Sequence, residues 1–221
     1  MRICIMSDIH SNYVALQEVL REVAYDLYVV AGDIIGYYTW PNEVVGALAR
    51  LPVKAVRGNH DEAAITGDTS WFNDTAASAL EWNRRYLSVE TVQYLSQLPT
   101  TLEFEADGKK FFVCHGSPRD PLYEYVYPDM VDSLELPDTD FLILGHTHIQ
   151  FHRRLGNLDI LNPGSVGQPR DGDPRLAYAV YDTKTGELAL KRKSYDFHRV
   201  IDAIAEAGLA DWLGERLMNG I

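Results

Sequence analysis

The chain has 221 residues, 46% hydrophobic and 24% charged, enough apolar material for a full core and too much for a disordered chain. Thirty-two acidic against twenty basic residues give a formal charge of -12. That field repels long nucleic acids and anionic membranes unless a local cation centre overrides it.

The first half alternates short apolar runs with helical periodicity. Arg2–Met6 reads as a strand, and Tyr13–Val23 places Leu16, Val19, Leu20 and Val23 on one helical stripe. Leu27–Ala31 is a second strand. Pro41 opens a helix where its missing N–H is not needed, with Val44, Val45 and Leu48 on one face. Val53–Val56 is a third strand, and the rhythm implies βαβ units with a buried sheet. Residues 61–98 interrupt it: Asn73 or Asp74 caps a helix to Tyr86, and Ser88 caps another reaching Leu98. This helical insertion is either packing or a flap over a site, with Glu62, Trp71, Phe72 and Trp82 as its candidate substrate-selecting side chains. Strands resume at Lys110–Cys114, Phe141–Leu144, Gln150–Leu155 and Leu158–Leu161, and a hairpin joins Leu176–Asp182 to Glu187–Ser194. Phe197 to Leu217 reads as one or two amphipathic helices divided by Gly208.

Cys4 and Cys114 lie in apolar runs and read as buried free thiols. The N-terminal apolar run is too short for a signal peptide, and no segment approaches the ~18 apolar residues of a membrane span. The expectation is one cytoplasmic domain covering 1–221.

Five apolar strands end in residues of one kind. They run into Asp8-Ile9-His10, Gly32-Asp33, Gly58-Asn59-His60-Asp61, His115-Gly116 and Gly145-His146-Thr147-His148. Ligands of α/β sheets bind outside the carboxyl ends of the strands, where five of the seven histidines fall. Each motif alone also suits a cap or a turn. His-x-His is the strongest, because alternate residues of an extended segment point the same way.

Imidazoles, carboxylates and one amide suit Mn, Fe, Zn, Co or Ni. Asp8, His10, Asp33, Asn59, His115, His146 and His148 are too many for one closed tetrahedral zinc site. They suit two divalent ions sharing a carboxylate, an arrangement that clamps both oxygens of a displacement at phosphorus.

The order and spacing of these motifs resemble the calcineurin-like metallophosphoesterase superfamily, nearest to its small archaeal and bacterial phosphodiesterases, and Asn162-Pro163-Gly164-Ser165 extends the likeness. The resemblance implies a four-layered α/β/β/α sandwich of two mixed β-sheets flanked by helices. It also implies one metal on Asp8, His10 and His148, another on Asn59, His115 and His146, and Asp33 bridging both. A hydroxide between the metals would attack phosphorus, with His60 as general acid or transition-state donor. Where the superfamily's protein phosphatases continue Gly-Asp with a second Asp and an Arg, this chain has Gly36 and Tyr37. That departure argues against a protein phosphatase and leaves His60 without its usual orienting carboxylate, for which Asp61 is the candidate.

Asn12 either caps the helix after it or donates to substrate. Tyr37, Tyr38 and Trp40 form an aromatic wall or pack beneath the insertion. Arg57, Arg119 and above all Arg170 are candidate phosphate donors, while His152 and His198 read as structural. The expected substrate is a small phosphoester. A catalytically silent scaffold on this fold would have lost ligands, and none is missing; a nuclease subunit would need a basic surface.

Overall fold

The computed structural model describes residues 1–22 and 24–221, so the helical position read at Val23 lies outside the described residues. Among the described residues, ten strands form two five-stranded sheets. The first takes the order β10 (Glu187–Lys193), β9 (Leu176–Asp182), β1 (Arg2–Met6), β2 (Leu27–Ala31), β3 (Val53–Val56). β1, β2 and β3 are parallel, linked through α1 (Tyr13–Leu20) and α2 (Pro41–Leu48), and β9 and β10 join antiparallel. The second sheet takes the order β4 (Thr101–Ala106), β5 (Lys109–Cys114), β6 (Phe141–Ile143), β8 (Leu158–Asn162), β7 (Phe151–Leu155). Its three central strands are parallel and its edges antiparallel.

The apolar runs of β1 to β3 are explained by burial on both faces. Ile3, Ile5, Val29, Ala31 and Val56 face Phe111, Val113, Phe141, Ile143 and Leu161 of the other sheet. Cys4, Met6, Tyr28, Val30 and Ala55 face the helices. α3 (Asn59–Thr66), α4 (Asp74–Tyr86), α5 (Val89–Gln97), α6 (Phe197–Glu206) and α7 (Trp212–Asn219) pack on that same side. The outer face of the second sheet is covered by the segment 117–140, which folds its Val126 and Val131 onto Leu142, Leu144 and Ile160. No described helix is long and apolar enough to cross a membrane.

Local signals set most element ends. Asn12, Asn73 and Ser88 cap α1, α4 and α5 by accepting from Ala15, Ala76 and Thr91 amides. Pro41 stands at the start of α2, and Gly208, at φ 66°, separates α6 from α7. Two elements were not anticipated. α3 begins inside the Gly58-Asn59-His60 motif and ends at Gly67. β4 forms a hairpin with β5 through Asp107-Gly108, whose φ values of 47° and 77° meet the demand of a tight two-residue turn.

α4 and α5 bury Ala76, Ala79, Leu80 and Leu95 in the helical layer, so most of 61–98 is packing. The connection between α3 and α4, through Trp71, Phe72 and Asn73, and the first turn of α4, through Ala76, reach the cleft. Between the sheets, the Phe111 ring stacks on Phe104 and Phe141 at centroid distances of 4.8 and 4.7 Å. Phe111 is fully buried, so Phe111→Ala should cost about 3–5 kcal/mol in a denaturant titration; a loss below about 1 kcal/mol would show that the sheets do not depend on this contact.

Candidate metal centre

The five motif loops leave their strands by sharp backbone turns. Of seven described non-glycine residues with positive φ, five are Asp8, His10, Asp33, His146 and His148, at 52°, 49°, 50°, 67° and 59°. Such conformations cost of order 1–3 kcal/mol each and persist only where the surroundings over-determine them. Here amide bonds lace the loops together: Asp8 N–H donates to Gly32 O at 3.1 Å, His10 N–H to Asp33 O at 3.0 Å, and Gly145 N–H to His115 O at 2.9 Å. The Asn162–Ser165 motif is part of this lacing. Asn162 donates to Gly145 O and Thr147 Oγ1, and the Ser165 hydroxyl donates to Asp8 O. Gly58 is required by contact, since a Cβ there would stand 2.1 Å from Asp33 Oδ1.

Two groups of donor atoms result. In one, His10 Nε2 and His148 Nε2 lie 3.1 Å apart, with Asp8 Oδ1 at 3.9 and 3.3 Å from them. In the other, His115 Nε2 lies 3.0 Å from Asn59 Oδ1 and 3.1 Å from His146 Nδ1. Asp33 Oδ2 stands between the groups, 3.6 Å from His10 Nε2 and 3.3 Å from His115 Nε2. All seven residues read as ligands therefore converge.

The opposite ring nitrogens settle the orientation of each imidazole. His10 Nδ1, His115 Nδ1, His148 Nδ1 and His146 Nε2 face the carbonyls of Ile35, Ala31, Gln168 and Tyr123 at 3.3, 2.8, 2.6 and 3.2 Å. A carbonyl only accepts, so the N–H lies on that side, and in the neutral form of each ring the lone pair faces the centre. Both Asp8 oxygens are buried without a hydrogen-bond partner. Converging lone pairs and an unpartnered buried carboxylate are costly unless a cation lies among them, so this donor set could hold divalent metal.

The proton affinities follow the same geometry. Burial drives His10 and His148 well below the ordinary histidine value and takes His146 to about 3 and His60 to about 4. Burial raises Asp8 to about 7. Asp33 is also buried, yet His115, His60 and His10 hold it well below the usual carboxylate range. Burial opposes protonation of His115, but the charge and hydrogen bond of Asp33 prevail and raise it to about 9.

Beside the donors opens a pocket of about 310 Å³. Its walls are Tyr37, Trp71, Phe72, Tyr123 and Tyr125, with Arg170 and Arg216 at one side. His60 lies beneath, stacked on Phe72 at 4.4 Å and against Tyr37 at 4.7 Å, and its buried Nδ1 has no partner. Trp71 stacks on Tyr123 at the rim and Tyr125 on His146.

Tyr37 and Arg170 thus line the pocket, but Asn12 does not. Its Oδ1 caps α1 and its Nδ2 donates to Gly167 O and Tyr195 Oη, so no polar atom remains for substrate. Asp61 does not orient His60: it accepts from the Gly58, Ile34 and Ile35 amides, clamping two strand-end turns. A Cβ on Gly36 would lie 2.8 Å from His60 Nδ1, so a side chain there would reach it, and this chain has none. Arg57 pairs with Glu62 and Arg119 with Glu124, away from the pocket. Tyr38 is buried under Gln168, Trp40 starts α2, Trp82 packs on Tyr86, and His152 pairs with Asp159. His198 rests on Phe197, and both cysteines are free and buried. Arg216, Tyr123 and Tyr125 escaped the sequence reading. Arg216 comes from the C-terminal helix, and the two tyrosines from a segment without periodicity.

A chain with this strand order and these strand-end donors is a metallophosphoesterase in architecture. It belongs to the calcineurin-like phosphoesterase superfamily, whose domain model matches residues 1–186. A metallophosphoesterase structure from Sphaerobacter thermophilus shares 37% identity and a TM-score of 0.88, covering 100% of this chain and 99% of that one. An uncharacterized protein of Methanocaldococcus jannaschii is 35% identical across 99% of this chain and 98% of its own. The Escherichia coli phosphodiesterase YfcE is 25% identical over 82% of this chain and 88% of its own.

Proposed function

We propose that this chain is a dinuclear metal-dependent phosphoesterase, a phosphodiesterase or phosphatase acting on a small phosphorylated molecule. The observation that carries the reading is Asp33 Oδ2, within 3.6 Å of a ligand nitrogen in each donor group. In this reading Asp8, His10 and His148 hold one cation, Asn59, His115 and His146 the other, and Asp33 both. The donor chemistry suits Mn, Fe, Zn, Co or Ni. Such cations supply Lewis acidity to phosphoryl oxygens and lower the pKa of water towards neutrality.

The rest is done by side chains of the chain itself. The backbone carbonyls behind the four ligand histidines hold their lone pairs on the centre and fix ligand spacing. Tyr37, Phe72 and Tyr125 narrow the access of water, and the 67–73 connection forms the lip of a single-domain enzyme. Free buried thiols are in keeping with a cytoplasmic setting. His60, held near 4 by burial, is neutral at working pH. A neutral imidazole donates a hydrogen bond to a phosphoryl oxygen more readily than it gives up a proton to a departing alkoxide.

Two measurements check this. His10→Ala and His115→Ala should each empty a different cation position in metal-soaked crystals, since their groups share only Asp33; the same position lost in both variants refutes the division. His60→Ala should keep its metals and lose ~10²–10³ in kcat, the size of one lost transition-state donor, by a similar factor on nitrophenyl and alkyl esters. A loss concentrated on the alkyl ester would make His60 the general acid, and loss of metal would make it a ligand.

A further inference from the structure

The pocket holds a charge feature that the metal centre does not use. Arg170 and Arg216 are both half-buried and lie over the Tyr37 ring, with guanidinium carbons 5.7 and 5.6 Å from its centroid. Arg170 donates to neutral oxygens, Gln168 Oε1 at 2.7 and 3.2 Å and Tyr37 Oη at 3.2 Å. Arg216 uses Nε on the Ile221 oxygen at 2.8 Å. Neither has a side-chain carboxylate in ion-pair reach among the described residues. The half-buried Arg57, Arg153 and Arg192 all face carboxylates. The described arginines that lack one elsewhere, such as Arg50, Arg84 and Arg199, are exposed.

Two like charges brought together out of solvent repel each other and lose hydration. In a chain of net charge -12, Arg170 meets only neutral oxygens and Arg216 only the terminal Ile221 oxygen, which leaves the pair room for an anion from outside. The cation centre already has its own claim on the scissile phosphoryl group. In the two-cation reading, adding two guanidiniums would leave the pocket more positive than Asp8, Asp33, the terminal Ile221 carboxyl group and a monoanionic diester together offset. Arg216 also lies beyond residues 1–186, the part shared with the family at large.

We infer that Arg170 and Arg216 form a second anion subsite beside the metal centre, and that the substrate is a small phosphoester carrying a further phosphate group. The forked donors of paired guanidiniums match a phosphate's oxygens in geometry and charge. Gln168 and Tyr37 act as positioning residues that hold Arg170 towards the pocket. The substrate class rests on the phosphoesterase reading; the anion subsite does not.

The test separates the two. In chelator-stripped protein, calorimetric titration should show inorganic phosphate binding to the wild type. Arg170→Gln and Arg216→Gln should bind it about tenfold more weakly, with Arg216→Lys between, because charge survives without the fork. Wild-type affinity in both glutamine variants overturns the subsite. With Mn²⁺ restored, thymidine nitrophenyl phosphodiesters with and without a second phosphate on the sugar give the catalytic comparison. The wild type should show a KM about tenfold lower for the doubly phosphorylated ester, an advantage that Arg216→Gln removes. Equal KM values overturn the substrate class. Hydrolysis of neither ester defeats the phosphoesterase reading and the substrate class with it, while the phosphate titration still decides the subsite.

Discussion

A buried carboxylate is tolerated only where positive charge or several donors reach it, and Asp33 meets that condition at the seam of two sheets. One of its oxygens accepts the His60 amide at 2.8 Å, while the other stands between His10 and His115. Everything around the cleft is arranged to keep that carboxylate in place. The left-handed turns at Asp8, His10, His146 and His148, the absent side chain of Gly58, and the Asp61 clamp all hold the strand ends together. The strain stored there has to be offset by packing elsewhere, and the double-sided burial of β1, β2 and β3 is the obvious source.

The half of the molecule that was readable from sequence is the half in which one physical rule dominates locally. Strands buried on both faces show as unbroken apolar runs, so β1, β2 and β3 were placed to the residue. The convergence of the candidate ligands was legible for the same reason: each follows such a run, and polar groups at strand ends in an α/β sheet meet at one edge. β4 was missed although Thr101–Ala106 alternates and ends in Asp107-Gly108, a strong hairpin signal. α3 was hidden because its first turn doubles as a ligand motif.

Side chains reaching the pocket from afar were not legible at all. Arg216 lies on α7, and its approach to Tyr37 depends on how α7 packs on α6 and α6 on α1. Tyr123 and Tyr125 ride on the 117–140 segment, whose path is set by packing over the second sheet and not by periodicity. Asn12 shows the opposite limit. Its position after Asp8-Ile9-His10 suits a helix cap or a substrate contact, and the structure shows the cap, with the Gly167 carbonyl taking the rest of its amide.

The dinuclear reading depends on Asp33 serving two cations at once. Anomalous diffraction from manganese-loaded crystals, with elemental analysis of the same protein, tests it most directly. Wild type should carry about two ions per chain flanking Asp33 Oδ2, and Asp33→Asn should lose occupancy at both positions together. A single ion in the wild type, or an Asp33→Asn protein that retains both, would contradict it.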